Sequence, residues 1–262
     1  MALTFLFGSC KGKNRNNDNA AREQEVMNVD SLTSVFGGEA DTFESDAQGG
    51  TEVSIFSIGH ATMAISAGGK WIYIDANTSV LRPGLSYSAM PKADYMLFTH
   101  SHGDHFDLQS VEQLSQESTL IIANPTIAET LGYGNALHNG ESLTTAEGWT
   151  VDAVPAYNCS EGKLQFHPQG RDNGYVLTIG SLRIYIAGDT EDIPEMADIS
   201  DIDIAFLPCN LPYTMTPEQC ANAARMIMPK VLFPYHYSNT EISQVTELLS
   251  DTGIEVRIRQ YQ

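Results

Sequence analysis

The chain has 262 residues, 42% of them hydrophobic, and a formal net charge of -19 at pH 7. That length suffices for one sizeable core, no run of about 18 apolar residues offers a membrane span, and the shortage of Lys and Arg opposes a sequence-independent grip on nucleic acid. A small phosphorylated substrate stays compatible with the charge, because bound divalent ions dominate the field inside their own pocket.

In chain order, residues 1–50 read as tail and linker. They are polar and acidic, punctuated by Gly37-Gly38 and Gly49-Gly50, and carry little periodic apolar content. Near the start, Leu3 to Cys10 resembles the end of a bacterial lipoprotein signal, with small residues before the cysteine and a polar tether from Lys11 to Asp18. The apolar region is short and no Lys or Arg precedes it, so attachment to the cell envelope through Cys10 and cytoplasmic residence are near equals, the former slightly favoured.

A folded domain is expected over 51–262. The patterning predicts strands over 52–58, 62–67, 70–75 and 94–99, helices near 107–116 and 125–131, and strands over 119–123 and 149–154. A β-hairpin is expected over 174–187 with its turn at Gly180-Ser181. Strand 203–207, helix 217–227, strand 230–234, helix 241–251 and strand 254–258 follow. Thr216-Pro217-Glu218 gives the helix after it an N-cap, a first-turn proline and an acidic residue.

The densest chemistry lies in Phe98-Thr99-His100-Ser101-His102-Gly103-Asp104-His105-Phe106-Asp107, directly after the apolar run Tyr95 to Phe98. His100 and His102, two residues apart at a strand end, project from one side and can grip one ion. Gly103 lets the chain turn, and Asp104 and His105 then aim at a neighbouring point, so the spacing suggests two metal sites. Imidazoles and carboxylates suit Zn, Mn or Fe, and the absence of thiolates argues against a closed structural zinc site. Cys10, Cys159, Cys209 and Cys220 show no paired spacing, and Cys209 and Cys220 are expected to be buried free thiols.

His100-x-His102-x-Asp104-His105 resembles the signature of the metallo-β-lactamase superfamily. Lys70 to Asp75 looks like its first motif, which implies that Asp75 holds the metal loop by hydrogen bonds. Ile184 to Thr190 ends in Gly-Asp-Thr, which implies Asp189 as the bridging carboxylate, and Val231 to Tyr237 delivers His236 as the last ligand. For the remaining histidine, His167 stands before the apolar strand Tyr175 to Ile179 with seven residues between, whereas His138 lacks such a context. The resemblance therefore implies His100, His102 and His167 on one ion, Asp104, His105 and His236 on the other, and Asp189 between them. It covers roughly residues 51–258 and implies an α/β fold, a four-layer αββα sandwich of two mixed sheets. Ile58-Gly59-His60-Ala61, Val154 to Asn158 and Asn173-Gly174-Tyr175 look most like a compact branch with ascorbate-phosphate lactonase-like proteins and uncharacterised hydrolases.

The chemistry so implied is hydrolysis of a small-molecule ester, a phosphodiester or phosphorylated lactone, by a hydroxide activated between two divalent ions, zinc first and Mn or Fe as alternatives. Asp104 and Asp189 are the carboxylates expected nearest the reaction. His60, Tyr157, Asn158, Arg171, Tyr213 and Tyr237 are candidates for substrate contact or oxyanion stabilisation, Arg171 as the natural anion clamp. The alternatives are a non-hydrolytic metal-binding protein and a di-iron redox protein on the same fold. His102 speaks against the second, whose members carry glutamate there.

Overall fold

The computed structural model describes residues 29–46 and 50–261, so Cys10 and the tether after it lie outside the described residues. Two seven-stranded sheets face each other. The first runs β1 (Asp41–Glu44), β2 (Glu52–Gly59), β3 (Thr62–Ala67), β4 (Lys70–Ile74), β5 (Tyr95–Phe98), β6 (Leu120–Ala123) and β7 (Asn135–Ala136) in spatial order. The second contains β8 (Ser142–Thr144), β9 (Thr150–Ala156), β10 (Asp172–Ile179), β11 (Leu182–Ile186), β12 (Ile204–Pro208), β13 (Val231–Tyr235) and β14 (Glu255–Val256), again in chain order across the sheet. In each, the first four strands pair antiparallel and the rest pair parallel.

Period-two alternation makes both faces of these strands apolar, as a sheet covered on both sides requires. In β4, Ile72 and Ile74 enter the core between the sheets while Tyr73 packs outward. In β12, Ile204 and Phe206 point inward and Ala205 and Leu207 outward. The outward residues of the first sheet meet Phe36 of α1 (Val29–Phe36), Val111 and Leu114 of α2 (Leu108–Leu114) and Ile127 of α3 (Pro125–Leu131). Those of the second meet α4 (Pro217–Ile227) and α5 (Ser243–Leu248). The layers are thus the αββα sandwich expected.

The hairpin turns at Gly180-Ser181 with Ile179 opposite Leu182, as expected. α4 carries a full capping box, Thr216 and Gln219 each bonding the other's backbone, with Pro217 in the first turn. α5 is shorter than the 241–251 predicted, and β7 and β8 are too short to show a period.

Two elements form inside the stretch expected to be tail. β1 pairs antiparallel with β2, Asp41 opposite Ile55. Asp41 is nearly buried and accepts from Arg257 Nη1 at 3.0 Å and Arg259 Nε at 2.8 Å. Phe36, fully buried, stacks on Phe56 at 4.3 Å and Trp71 at 5.3 Å between ring centroids. One aromatic anchor and one charged anchor leave no periodic trace in the sequence. Phe36→Ala should lower stability by about 3–5 kcal/mol, as for other buried aromatic truncations, in denaturant unfolding of the otherwise intact chain.

Candidate metal centre

The parallel strands end at one level, and their C-terminal ends carry the polar side chains. β4 delivers Asp75, β5 delivers Thr99 and the loop through His105, β11 delivers Gly188-Asp189, and β13 delivers His236. His60 follows β2, and Asn158, His167 and Arg171 come from the connection between β9 and β10. The sheets touch here: Asn173 N donates to Thr99 O at 3.0 Å, and Tyr175 Oη donates to Phe98 O at 2.8 Å. Gly188 stands at the contact with φ +64°, where an added Cβ would lie 2.9 Å from Asn173 O and 3.0 Å from Thr99 Cβ. Only glycine fits both demands. His60, Asp75 and His236 also sit at positive φ, 52°, 43° and 48°, turning each side chain off its strand.

Two groups of donors result. His100 Nε2 lies 3.1 Å from His102 Nδ1, which lies 3.2 Å from His167 Nε2. His60, Asp104, His105 and His236 form the second group, with Asp104 Oδ2 at 3.0 Å from His60 Nε2 and 3.7 Å from His236 Nε2. Asp189 stands between them. Its Oδ1 is 3.3 Å from His105 Nε2, and its Oδ2 is 3.3 Å from His167 Nε2, 3.4 Å from His236 Nε2 and 3.9 Å from His100 Nε2. All seven donors expected from the sequence are therefore together, and His60 joins them.

Behind the donors lies a layer of orienting bonds. Thr99 donates to Asp75 from its backbone at 2.7 Å and its hydroxyl at 2.6 Å, so the hydroxyl oxygen accepts from His100 Nδ1 at 3.0 Å. His105 Nδ1 donates to Asp75 at 2.9 Å, and His167 Nδ1 to Asn158 at 3.3 Å. Each bond engages Nδ1 and turns Nε2 inward, the orientation a ligating imidazole needs. Asp107, by contrast, N-caps α2 and accepts from Thr78.

The fit to a cation rests on atoms and charge. His105 Nε2, His236 Nε2 and Nδ1, and Asp189 Oδ1 are buried with no hydrogen-bond partner among the described residues, an arrangement otherwise costly inside a protein. Burial, then the charge of His105, keeps the His100 imidazole well below its ordinary range and so neutral. Burial alone would lower His105 as well, but Asp189 and Asp75 outweigh it and push His105 well above. The pocket thus favours positive charge at its centre, and the donors are all imidazole or carboxylate.

The expected substrate contacts divide. Arg171 lies 3.4 Å from His102 Nε2, but its guanidinium is bidentate to Asp172 at 2.8 and 2.7 Å and also holds Phe166 O, so it braces the loop beside His102. Asn158 is turned to His167 and to Tyr213 O. Tyr213 is exposed and packs edge-on against Phe166. Tyr157 gives its hydroxyl to Glu195 and Tyr237 gives its own to Arg259 O, so neither hydroxyl is free for a substrate. His138 is exposed and belongs to none of the donor groups among the described residues. Cys209 and Cys220 are buried free thiols, and Cys159 is exposed.

Sequence reasoning passed over Thr99 and Glu191. Glu191 accepts from Cys159 N at 2.8 Å, Ser160 N at 2.6 Å and Lys163 Nζ at 2.9 Å, tying the Asn158–His167 loop to the Asp189 turn. Burial would raise its carboxyl, but Lys163 and these amides outweigh burial and hold it at about 2. Its place two residues after Asp189 was the available signal.

A family model described as a beta-lactamase superfamily domain matches residues 54–236. A metal-dependent hydrolase of Thermococcus onnurineus is 32% identical over 198 residues, covering 71% of this chain and 85% of its own. A crystal structure from Parabacteroides distasonis, also named for metal-dependent hydrolysis, is 46% identical with a TM-score of 0.82 over 86% of this chain and 99% of its own. The metallo hydrolase Igni18 of Ignicoccus hospitalis shares the fold, with a TM-score of 0.67 at 23% identity over 79% of this chain and 95% of its own.

Two outcomes are expected. After reloading with zinc, His167→Ala and Asp189→Ala should hold less metal per chain by elemental analysis, while His138→Ala matches the wild type. Glu191, depressed from an ordinary 4.5 to about 2, stabilises the fold above pH 4.5 and loses that contribution as pH falls through 2. The stability difference between the metal-free chain and its Glu191→Gln variant, measured by denaturant unfolding, should therefore be flat above pH 4.5 and shrink below it.

Proposed function

The chain belongs to the metallo-β-lactamase superfamily, and from that footing we propose that this metal-dependent hydrolase cleaves a small-molecule ester, a phosphodiester or a phosphorylated lactone, with two divalent ions. The observation that carries the reading is the unequal exposure of the donors. The side chains of His100, His105, His167, His236 and Asp189 are at most 4% exposed, whereas that of Asp104 is 45% exposed and His102 is part-exposed. A centre sealed on one side and open on the other is built to admit a reactant, while structural sites are closed.

His100, His102 and His167 would hold one ion, Asp104, His105 and His236 the other, and Asp189 both. Zinc suits this donor set first, with manganese or iron as alternatives. When bound, such ions supply an activated water at neutral pH and draw electrons from the ester oxygen. Asp104, at the mouth, presents a carboxylate oxygen that accepts a hydrogen bond from an entering water and so orients it. Asp189 keeps the inward nitrogens of four imidazoles pointed at one place, and Asp75, through His105 and Thr99, keeps that arrangement from relaxing.

An anionic ester fits the charge balance, since two divalent ions outweigh Asp75, Asp104 and Asp189 within an acidic protein. Purified protein reloaded with Zn or Mn should hydrolyse a chromogenic phosphodiester, and Asp104→Ala should lose at least about a hundredfold in turnover. A fully metallated protein that leaves the phosphodiester intact would rule out phosphate esters and turn the reading to lactones, carboxylic esters or amides.

A further inference from the structure

Several donors near the centre are held by buried neighbours. His105 leans on Asp75, His100 on Thr99, His167 on Asn158, and Asp189 is enclosed by imidazoles. Asp104 differs from these. It follows Gly103 in an open loop, is 45% exposed, and its side chain could rotate into solvent. Its carboxylate oxygen Oδ2 accepts from His60 Nε2 at 3.0 Å, with His236 Nε2 farther off at 3.7 Å from the same oxygen.

His60 is itself built into place. Its backbone N–H donates to Tyr261 O at 2.5 Å, its carbonyl accepts from His236 N at 3.1 Å, and its φ is held at 52°. The ring packs against that of His236 with 3.7 Å between centroids and edge-on to His105 at 5.7 Å. A β-strand end in a left-handed conformation, locked through both backbone polar groups, is a costly way to place an imidazole that does nothing.

From this geometry we infer that His60 is a positioning residue: it donates Nε2–H to Asp104 Oδ2 and holds that carboxylate toward His105 and His236. The bond holds the carboxylate beside His236, so the second donor group meets its ion with Asp104 already among its members. Without it, the Asp104 side chain must be ordered at the moment of binding, which costs rotamer entropy. This role replaces the substrate contact expected of His60, and it rests on the two-ion reading above.

The test is calorimetric zinc titration of the metal-free full chain, its His60→Ala variant and its His60→Gln variant, with thermal unfolding of each apo protein as the folding control. Gln places an amide N–H near the position of the imidazole Nε2. The wild type should bind two equivalents. His60→Ala should retain the first with unchanged affinity and bind the second about 10–100-fold more weakly, the usual cost of losing an orienting partner of a metal ligand. His60→Gln should recover most of that loss. Equal second-site affinity in the wild type and His60→Ala would overturn the positioning role alone. A loss in His60→Ala that Gln does not recover, in a variant of unchanged apo stability, would overturn it in favour of direct ligation by the imidazole. A wild type that takes up a single equivalent would overturn the two-ion reading, and this role with it.

Discussion

The carboxylate of Asp189 is the constraint around which the rest is arranged. It is almost wholly removed from water, it lies within 3.3–3.9 Å of four imidazole nitrogens, and one of its oxygens has no hydrogen-bond partner among the described residues. Burying an ionised carboxylate is tolerable only when compensating charge is close. Compensation comes from both sheets, from His105 at the end of the first and from His236 at the end of the second. Each sheet alone would carry an unsatisfied half-site. Gly188 is the physical cost of the meeting, since any side chain there would push β11 away from Thr99 and Asn173.

The division of donors follows from how the two sheets are built. Each proceeds from antiparallel hairpins to parallel strands, so each has a row of C-terminal strand ends on the same border. The first contributes His60, Asp75 and the loop from His100 to His105. The second contributes Asp189 and His236, and its β9–β10 connection adds His167. A pair of such borders makes a shallow polar seam along the open edge of an otherwise apolar sandwich, where small backbone turns suffice to aim the side chains inward.

Much of this was legible in the sequence because metal-binding chemistry is local. Three imidazoles and a carboxylate within six residues announce themselves, and the apolar runs before Asp75, Asp189 and His236 mark strand ends. His167 was separable from His138 by its distance from the next strand. What was not legible depends on contacts distant in sequence. The left-handed turns at His60, Asp75 and His236 are imposed by packing, with no glycine to advertise them. Tyr157 and Tyr237 stood near motifs, yet their hydroxyls satisfy Glu195 and a backbone carbonyl, which proximity in sequence cannot reveal. α1 and β1 escaped for the same reason: Phe36 and Asp41 find their partners in Phe56, Trp71, Arg257 and Arg259, across the whole chain.

The last of those partners has a consequence for biosynthesis. Residues 257–261 follow every donor of the centre in the chain, yet they grip Asp41 and close the hydrogen bond to the His60 backbone, over sequence separations of about two hundred residues. A chain emerging from the ribosome can pair the first sheet and display the histidines from 100 to 105 before Asp189 exists. It cannot lock His60 or seat Tyr261 until residue 261 is out. Long-range closure of this kind comes late in folding. The histidines from 100 to 105 therefore leave the ribosome well before the segment that fastens the His60 backbone.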